Sequence, residues 1–223
     1  ARFHFAPTKQ ARLNLLGEGI PDDRITVTGN TVVDALNLVV ADDDMAQVEV
    51  PAGRVVVMTL HRREIFGAPL RAILTAIARV FSAHPDVTLI YPVHPNPNVA
   101  TTANEILGNI PNVNLISPLG YRSFIGLVRR ACLVVSDSGG IQEEAPALGV
   151  PLLVLRDRTE RPEGVSAGSS RLVGIDPAAI TRELSHLLST PGALAKMTCA
   201  VNPFGDGRAS QRIVAVIESA DFG

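Results

Sequence analysis

The stretch Leu133-Val134-Val135-Ser136-Asp137-Ser138-Gly139-Gly140-Ile141-Gln142-Glu143-Glu144-Ala145-Pro146-Ala147-Leu148-Gly149 decides how this chain folds. A short apolar run passes through small polar residues and two glycines into a helix-like segment that Gly149 and Pro151 close. It reads as a strand, a tight turn and a helix start. Ser136, Asp137 and Ser138 carry side chains able to cap a helix, and Gly139 and Gly140 let backbone N–H groups approach a ligand unobstructed. Unpaired N–H donors and the positive end of the helix dipole suit an anion, above all a phosphate. A capped helix after a core strand, with no ligand at all, is the alternative the same residues allow. Glu143 and Glu144 in the first turn favour a site, because a carboxylate beside a phosphate needs another use and a ribose diol supplies one. Neither G-x-G-x-x-G nor G-x-x-x-x-G-K-[ST] is present, which counts against ordinary dinucleotide and P-loop sites.

Similar units lie on both sides of this stretch. Val55 to Leu60 is a continuous apolar run of the kind a parallel strand buried on both faces needs. The helix after it sets Leu70, Ile73, Leu74, Ile77, Val80 and Phe81 on one face. Further strands are expected at Thr88–Tyr91, Val113–Ile116, Leu133–Val135, Pro151–Leu155 and Arg171–Val173. Strands alternating with helices make an α/β chain with a Rossmann-like parallel sheet and helices on both faces. Ahead of these units, Arg2–Ala6 and Ile25–Val27 read as short strands. A helix bearing Leu13, Leu15 and Leu16 separates them, and a helix over Val32–Val40 follows. Asp42-Asp43-Asp44 leads through Pro51-Ala52-Gly53 as a linker. The tail is helical over Pro177–Leu188, Pro191–Met197 and Arg208–Glu218, and the last of these carries a stripe of Ala209, Ile213, Val216 and Ile217 that must cover something.

Length and charge limit the partners. A chain of 223 residues, 46% hydrophobic and 19% charged, can bury a large core. The net charge of −2, without a basic stripe, argues against nonspecific nucleic-acid binding. Cys132 and Cys199 form no CxxC pair, so neither a disulfide framework nor a zinc site is expected, and reduced thiols fit a cytoplasmic protein. No apolar run reaches transmembrane length and no signal peptide opens the chain. Starting at Ala1, directly in a strand, the chain reads as a fragment or a processed form.

In open parallel sheets, ligands collect beyond the carboxyl ends of the strands. Five successive segments there are polar: His61-Arg62-Arg63-Glu64, then His94-Pro95-Asn96-Pro97-Asn98, then Pro118 to Phe124, then the serine-glycine turn, then Arg156 to Glu163. Singly, each has a plain structural use: a solvated basic loop, a hydrogen-bonding histidine, a core phenylalanine. Together on one rim they fit a nucleotide, with Arg and His neutralising phosphate, Phe124 offering a ring to a base and Glu144 accepting from a ribose. His4, His84 and His186 carry no functional role.

Taken together, His61-Arg62-Arg63-Glu64, Tyr91-Pro92-Val93-His94-Pro95-Asn96-Pro97, Ser136 to Glu144 and Thr159-Glu160-Arg161-Pro162-Glu163-Gly164 resemble the motifs of the non-hydrolysing UDP-N-acetylglucosamine 2-epimerases. His4-Phe5-Ala6-Pro7-Thr8, Val27-Thr28-Gly29-Asn30-Thr31 and Gly205-Asp206-Gly207 resemble them too, so the likeness runs from the first residues to about Ile217. It implies the C-terminal half of a GT-B fold, with residues 1–45 as the end of an N-terminal domain and its hinge, and 46–223 as a UDP-binding domain whose final helix crosses back. The implied reaction inverts C2 of UDP-N-acetylglucosamine, giving UDP-N-acetylmannosamine, through elimination of UDP and its re-addition. The family's catalytic carboxylates fall upstream of Ala1, so this chain by itself is expected to bind UDP without turnover, the missing N-terminal domain being its partner.

By matching motif, the likeness implies His61 as a catalytic residue beside diphosphate and sugar, Ser138 and Gly139 at the phosphates, Glu144 on the ribose, Phe124 near uracil and Arg161 in the UDP pocket. Arg62 and His94 match positions that contact a second, regulatory UDP-N-acetylglucosamine. No cofactor or metal is implied, nor a nucleic-acid or membrane partner, and the full-length protein is expected to be a homodimer. Ile65 replaces a frequent Asn and Phe204 a frequent Tyr, neither at a UDP contact. A GT-B glycosyltransferase donor domain and a non-catalytic nucleotide-sugar binding module are the competing readings, and the His-Arg-Arg-Glu string argues against the first.

Overall fold

The computed structural model describes residues 1–41, 49–198 and 200–220. The linker expected after Asp42 and the boundary between residues 45 and 46 begin outside the described residues, as does Cys199. The chain opens with β1 (His4–Ala6), α1 (Lys9–Gly17), β2 (Ile25–Val27) and α2 (Thr31–Ala41). Alternation then sets in with β3 (Arg54–Thr59), α3 (Ala68–Ala83), β4 (Val87–Pro92), α4 (Pro97–Leu107), β5 (Val113–Ile116) and α5 (Tyr121–Arg129). It continues through β6 (Leu133–Ser136), α6 (Ile141–Ala147), β7 (Leu152–Val154), α7 (Pro162–Ala167) and β8 (Ser170–Leu172), and ends in α8 (Pro177–Ser189), α9 (Ala193–Thr198) and α10 (Ala209–Glu218).

β1 and β2 form a small parallel pair, and the other strands form one parallel sheet in the order β5-β4-β3-β6-β7-β8. Counted from β3 this is 3-2-1-4-5-6, the doubly wound order, whose direction reverses between β3 and β6. Alternate residues of each strand serve opposite faces. Val56 and Met58 of β3 join Leu89, Tyr91 and the apolar faces of α3, α4 and α8 in one core layer. Val55 and Val57 join Ile90, Val134, Leu152, Val154, Leu127 and Ile141 in the other. Burial on both faces is why these strands are apolar throughout, as their sequences predict.

Three details add to the expected outline. The proline-rich segment after β4 is a loop only as far as Asn96, whose side chain accepts from Asn98 N at 3.0 Å and starts α4 with Pro97 in its first turn. No residue of α1 is buried, and its Leu13 is 55% exposed. The stripe of α10 is covered mainly at its start, where Ala209 is buried, whereas Ile217 is 41% exposed. That start docks on α2. Asp34 accepts from Ala209 N at 3.1 Å and Ser210 N at 2.8 Å, and Arg212 donates to Thr28 O at 2.9 Å. A carboxylate from another helix thus caps α10 and holds the C-terminal tail against the first segment.

Candidate functional site

The serine-glycine turn follows β6 directly, and its side chains do not cap α6. Gly140 is the N-cap residue and no side chain bonds there. Each polar group of the turn is used elsewhere, because β6 lies beside β3 at the point where strand order reverses. Thr59 pairs in register with Ser136, and their hydroxyls lie 2.7 Å apart. Ser136 Oγ accepts from Ser138 N at 3.0 Å, which bends the chain out of the strand. Asp137, between them, is fully buried. Its Oδ2 accepts from His61 N at 3.0 Å and Arg62 N at 2.9 Å, and its Oδ1 lies 3.1 Å from His61 Nδ1. Its backbone O accepts from Arg62 Nε at 2.8 Å. One carboxylate therefore latches the loop after β3 to the turn after β6. The hydrogen bond that the His61 ring donates to the Asp137 carboxylate is the main reason the pKa of His61 is raised, against the opposing effects of burial and of the Arg62 charge.

The loop after β7 completes this part of the rim. Arg161 donates from Nε to Glu143 at 2.8 Å and pairs through Nη1 with Glu160 at 2.8 Å. A Cβ added to Gly139 would stand 3.6 Å from the Arg161 guanidinium carbon, so Gly139 keeps open the space between turn and arginine. Glu160 also draws Arg156, at 2.7 Å, and more loosely Arg62, at 3.8 Å. The buried Gln142 ties the layers together: its Nε2 donates to Ser138 O at 3.2 Å and its Oε1 accepts from Thr159, whose hydroxyl in turn accepts from Arg161 N at 3.0 Å. Glu143 thus holds Arg161, leaving Glu144 as the second acid of the first turn. Glu144 is half-buried, and burial raises its pKa, with a hydrogen bond from the Tyr121 phenol working against that rise. Burial and the Glu144 charge push the Tyr121 phenol up to about 12.

The rim thus joins His61, Arg62, Ser138, Gly139 and Arg161, with Glu144 one helical turn along α6. Phe124 sits in the adjacent α5, half-buried and packed with Leu119 and Leu148 against the second core layer. His94 lies past β4, exposed, its Nδ1 accepting from Asn96 N at 3.1 Å. A cleft of about 460 Å³ lies between the loops after β3 and β7, with Ile65 and Leu155 in its lining and Arg62, Arg156 and Arg158 among its polar groups. Sequence reasoning misses three contributors: Asp137, which reads as a helix cap, Gln142 and Tyr121. Asp137 had a signal in its place, an acid at the end of an apolar strand, but its partners are 75 and 76 residues away. Among the described residues, no cluster of three or more His, Cys, Asp or Glu is arranged to hold a metal ion, and no helix is long and apolar enough to cross a membrane.

The arrangement can hold an anion between His61, the turn and Arg161, with a carboxylate in reach for hydroxyl groups. Residues 1–218 match the family described as UDP-N-acetylglucosamine 2-epimerase. The protein of that name from Salmonella typhimurium is 46% identical over 98% of this chain and 61% of its own length. Among solved structures, UDP-GlcNAc 2-epimerase from Neisseria meningitidis bound to UDP-GlcNAc has a TM-score of 0.91 at 40% identity, covering 99% of this chain and 62% of that one. The UDP co-structure of MnaA from S. aureus has a TM-score of 0.92 at 38% identity, covering 100% of this chain and 64% of that one. The chain spans about 61% of the length of the curated relatives it matches.

Proposed function

The chain belongs to the UDP-N-acetylglucosamine 2-epimerase family, and from that premise we propose that it is the UDP-binding part of an isomerase that interconverts UDP-N-acetylglucosamine and UDP-N-acetylmannosamine. In the reaction a base removes the C2 proton, the C1–O bond breaks with its electron pair leaving on UDP, and a 2-acetamidoglucal remains. UDP then adds back at C1 while C2 takes a proton on the opposite face. Elimination needs a base and a cradle for the departing diphosphate. These residues supply the cradle, and the base comes from family carboxylates outside them, so they do not turn over alone.

The observation that carries this reading is the latch at the strand-order reversal, which fixes His61 beside the turn that also faces Arg161. In it, His61 and the backbone of Ser138 and Gly139 meet the diphosphate, Arg161 closes the pocket, Glu144 accepts from the ribose hydroxyls and Phe124 borders the uracil. Arg62 and His94 contact a second, regulatory UDP-N-acetylglucosamine. Residues 1–45 belong to the N-terminal domain of a GT-B fold and its hinge, and 46–223 to the C-terminal domain. The separate β1–β2 pair supports that division, as does the apolar surface of Leu13, Val27 and Leu38, which are 55%, 39% and 76% exposed. The whole protein is read as a cytoplasmic homodimer serving cell-envelope polysaccharide synthesis.

Titration calorimetry with UDP tests the reading. Saturable binding is expected, weakened about tenfold or more by Glu144→Ala or Arg161→Ala, as loss of a charge-assisted hydrogen bond implies. A folded sample that gives no saturation at millimolar UDP contradicts it.

A further inference from the structure

The latch does more than close a loop. Three N–H groups converge on the Asp137 side chain, two from backbone and one from the His61 ring, and no part of that carboxylate reaches solvent. A buried carboxylate is tolerated only when its lone pairs are taken. The two backbone donors would suffice to fix the loop. The third contact fixes the ring, because an ionised carboxylate can only accept, so the imidazole nitrogen facing it must carry hydrogen. The other nitrogen, Nε2, then belongs to the side chain's free edge, and that side chain is 44% exposed.

We propose that Asp137 is a positioning residue for the reaction. It holds His61 as the Nδ1–H tautomer when neutral and stabilises the imidazolium when charged, so that Nε2 is the nitrogen presented to the diphosphate. This rests on the reading of His61 as a diphosphate contact. In the charged form, Nε2–H donates to a diphosphate oxygen as the C1–O electron pair leaves, and the proton stays on the ring. Other groups around His61 are consistent with this assignment. Arg62, on the same loop, is a cation that opposes charging of the ring, and its guanidinium is held by Glu64 at 3.2 Å and Glu160 at 3.8 Å. From β4, Tyr91 donates its hydroxyl hydrogen to Leu60 O at 3.2 Å. Asp137 is thus the carboxylate bonded to the ring.

The test is two-dimensional ¹H–¹⁵N correlation of the imidazole nitrogens across pH, on this chain, with His61 assigned by its absence in His61→Gln. Expected in the unaltered chain is an Nδ1–H neutral tautomer and a titration midpoint above the ordinary histidine value. An Asp137→Asn amide can turn an N–H toward the ring, so the neutral form should switch to Nε2–H and the midpoint fall by about a unit or more. UDP affinity, measured in parallel, should fall as pH rises through the midpoint in the unaltered chain, and that inflection should move down in Asp137→Asn. An Nε2–H tautomer or an ordinary midpoint in the unaltered chain overturns the proposal without any variant, so it stays falsifiable even if Asp137→Asn fails to fold. An unchanged tautomer in a folded Asp137→Asn also overturns it. An Asp137-dependent tautomer in a chain that does not bind UDP overturns instead the nucleotide reading on which the proposal rests.

Discussion

Glu144 illustrates how one side chain acquires a role from its surroundings. Glu143, its neighbour in sequence, is held by Arg161, whereas Glu144 is raised by burial and steadied by the Tyr121 phenol. If Glu144 must be ionised to accept from a ribose, UDP affinity will fall on acidification at a pH above the ordinary glutamate value of 4.5. The Tyr121 bond lowers the Glu144 pKa, so Tyr121→Phe is expected to move that inflection further up. It should also weaken UDP two- to tenfold at neutral pH, about the value of one hydrogen bond, as calorimetry can measure. At this scale the sequence showed which residue types crowd the rim but not how they pair. Asp137 and His61 are neighbours only because β3 and β6 pair side by side in the sheet although β4 and β5 lie between them in sequence. Phe124 looks the same in a sequence whether its ring is fully enclosed or, as here, half-buried against the core.

Among the elements, α10 depends on a partner helix for its start. Burial alone would raise the pKa of Asp34, but hydrogen bonds from Ser210 and Ala209 more than offset it, and the net shift is downward. A carboxyl lowered in the folded state contributes stability that is present above its unfolded pKa and lost as pH falls through the folded one. Asp34→Ala is therefore expected to cost about 1 kcal/mol in urea denaturation at neutral pH. The difference from the unaltered chain should shrink as the pH drops below the ordinary value of 3.8. Gly207 supports the same junction. Its φ is +76°, and an added Cβ would lie 2.0 Å from the Asn37 side-chain nitrogen, so Gly207→Ala should lower the urea midpoint through strain and displacement of Asn37. The buried parallel strands were legible from their apolar runs. The coverage of α10 was not, because an apolar stripe says that a face can be buried and not what buries it.

For the molecule as a whole, the order β5-β4-β3-β6-β7-β8 brings the polar loops to one rim and sets the β3 and β6 loops side by side at its centre. The strand-and-helix rhythm predicted the sheet, and the polar segments beyond its strands predicted the rim. The order of strands had to come from the fold. Thr8 of the first segment donates its hydroxyl hydrogen to Glu163 at the start of α7, just past Arg161, so the two parts of the chain meet beside the proposed site. The central claim is that one uridine diphosphate is held by the loops after β3, β6 and β7 together. The most direct measurement is amide chemical-shift mapping of the ¹⁵N-labelled chain during titration with UDP. Concerted shifts at His61, Arg62, Ser138, Gly139, Glu144 and Arg161, saturating with one affinity, are the predicted result. Shifts confined to one of these loops, spread over unrelated faces or absent at saturating UDP would contradict it.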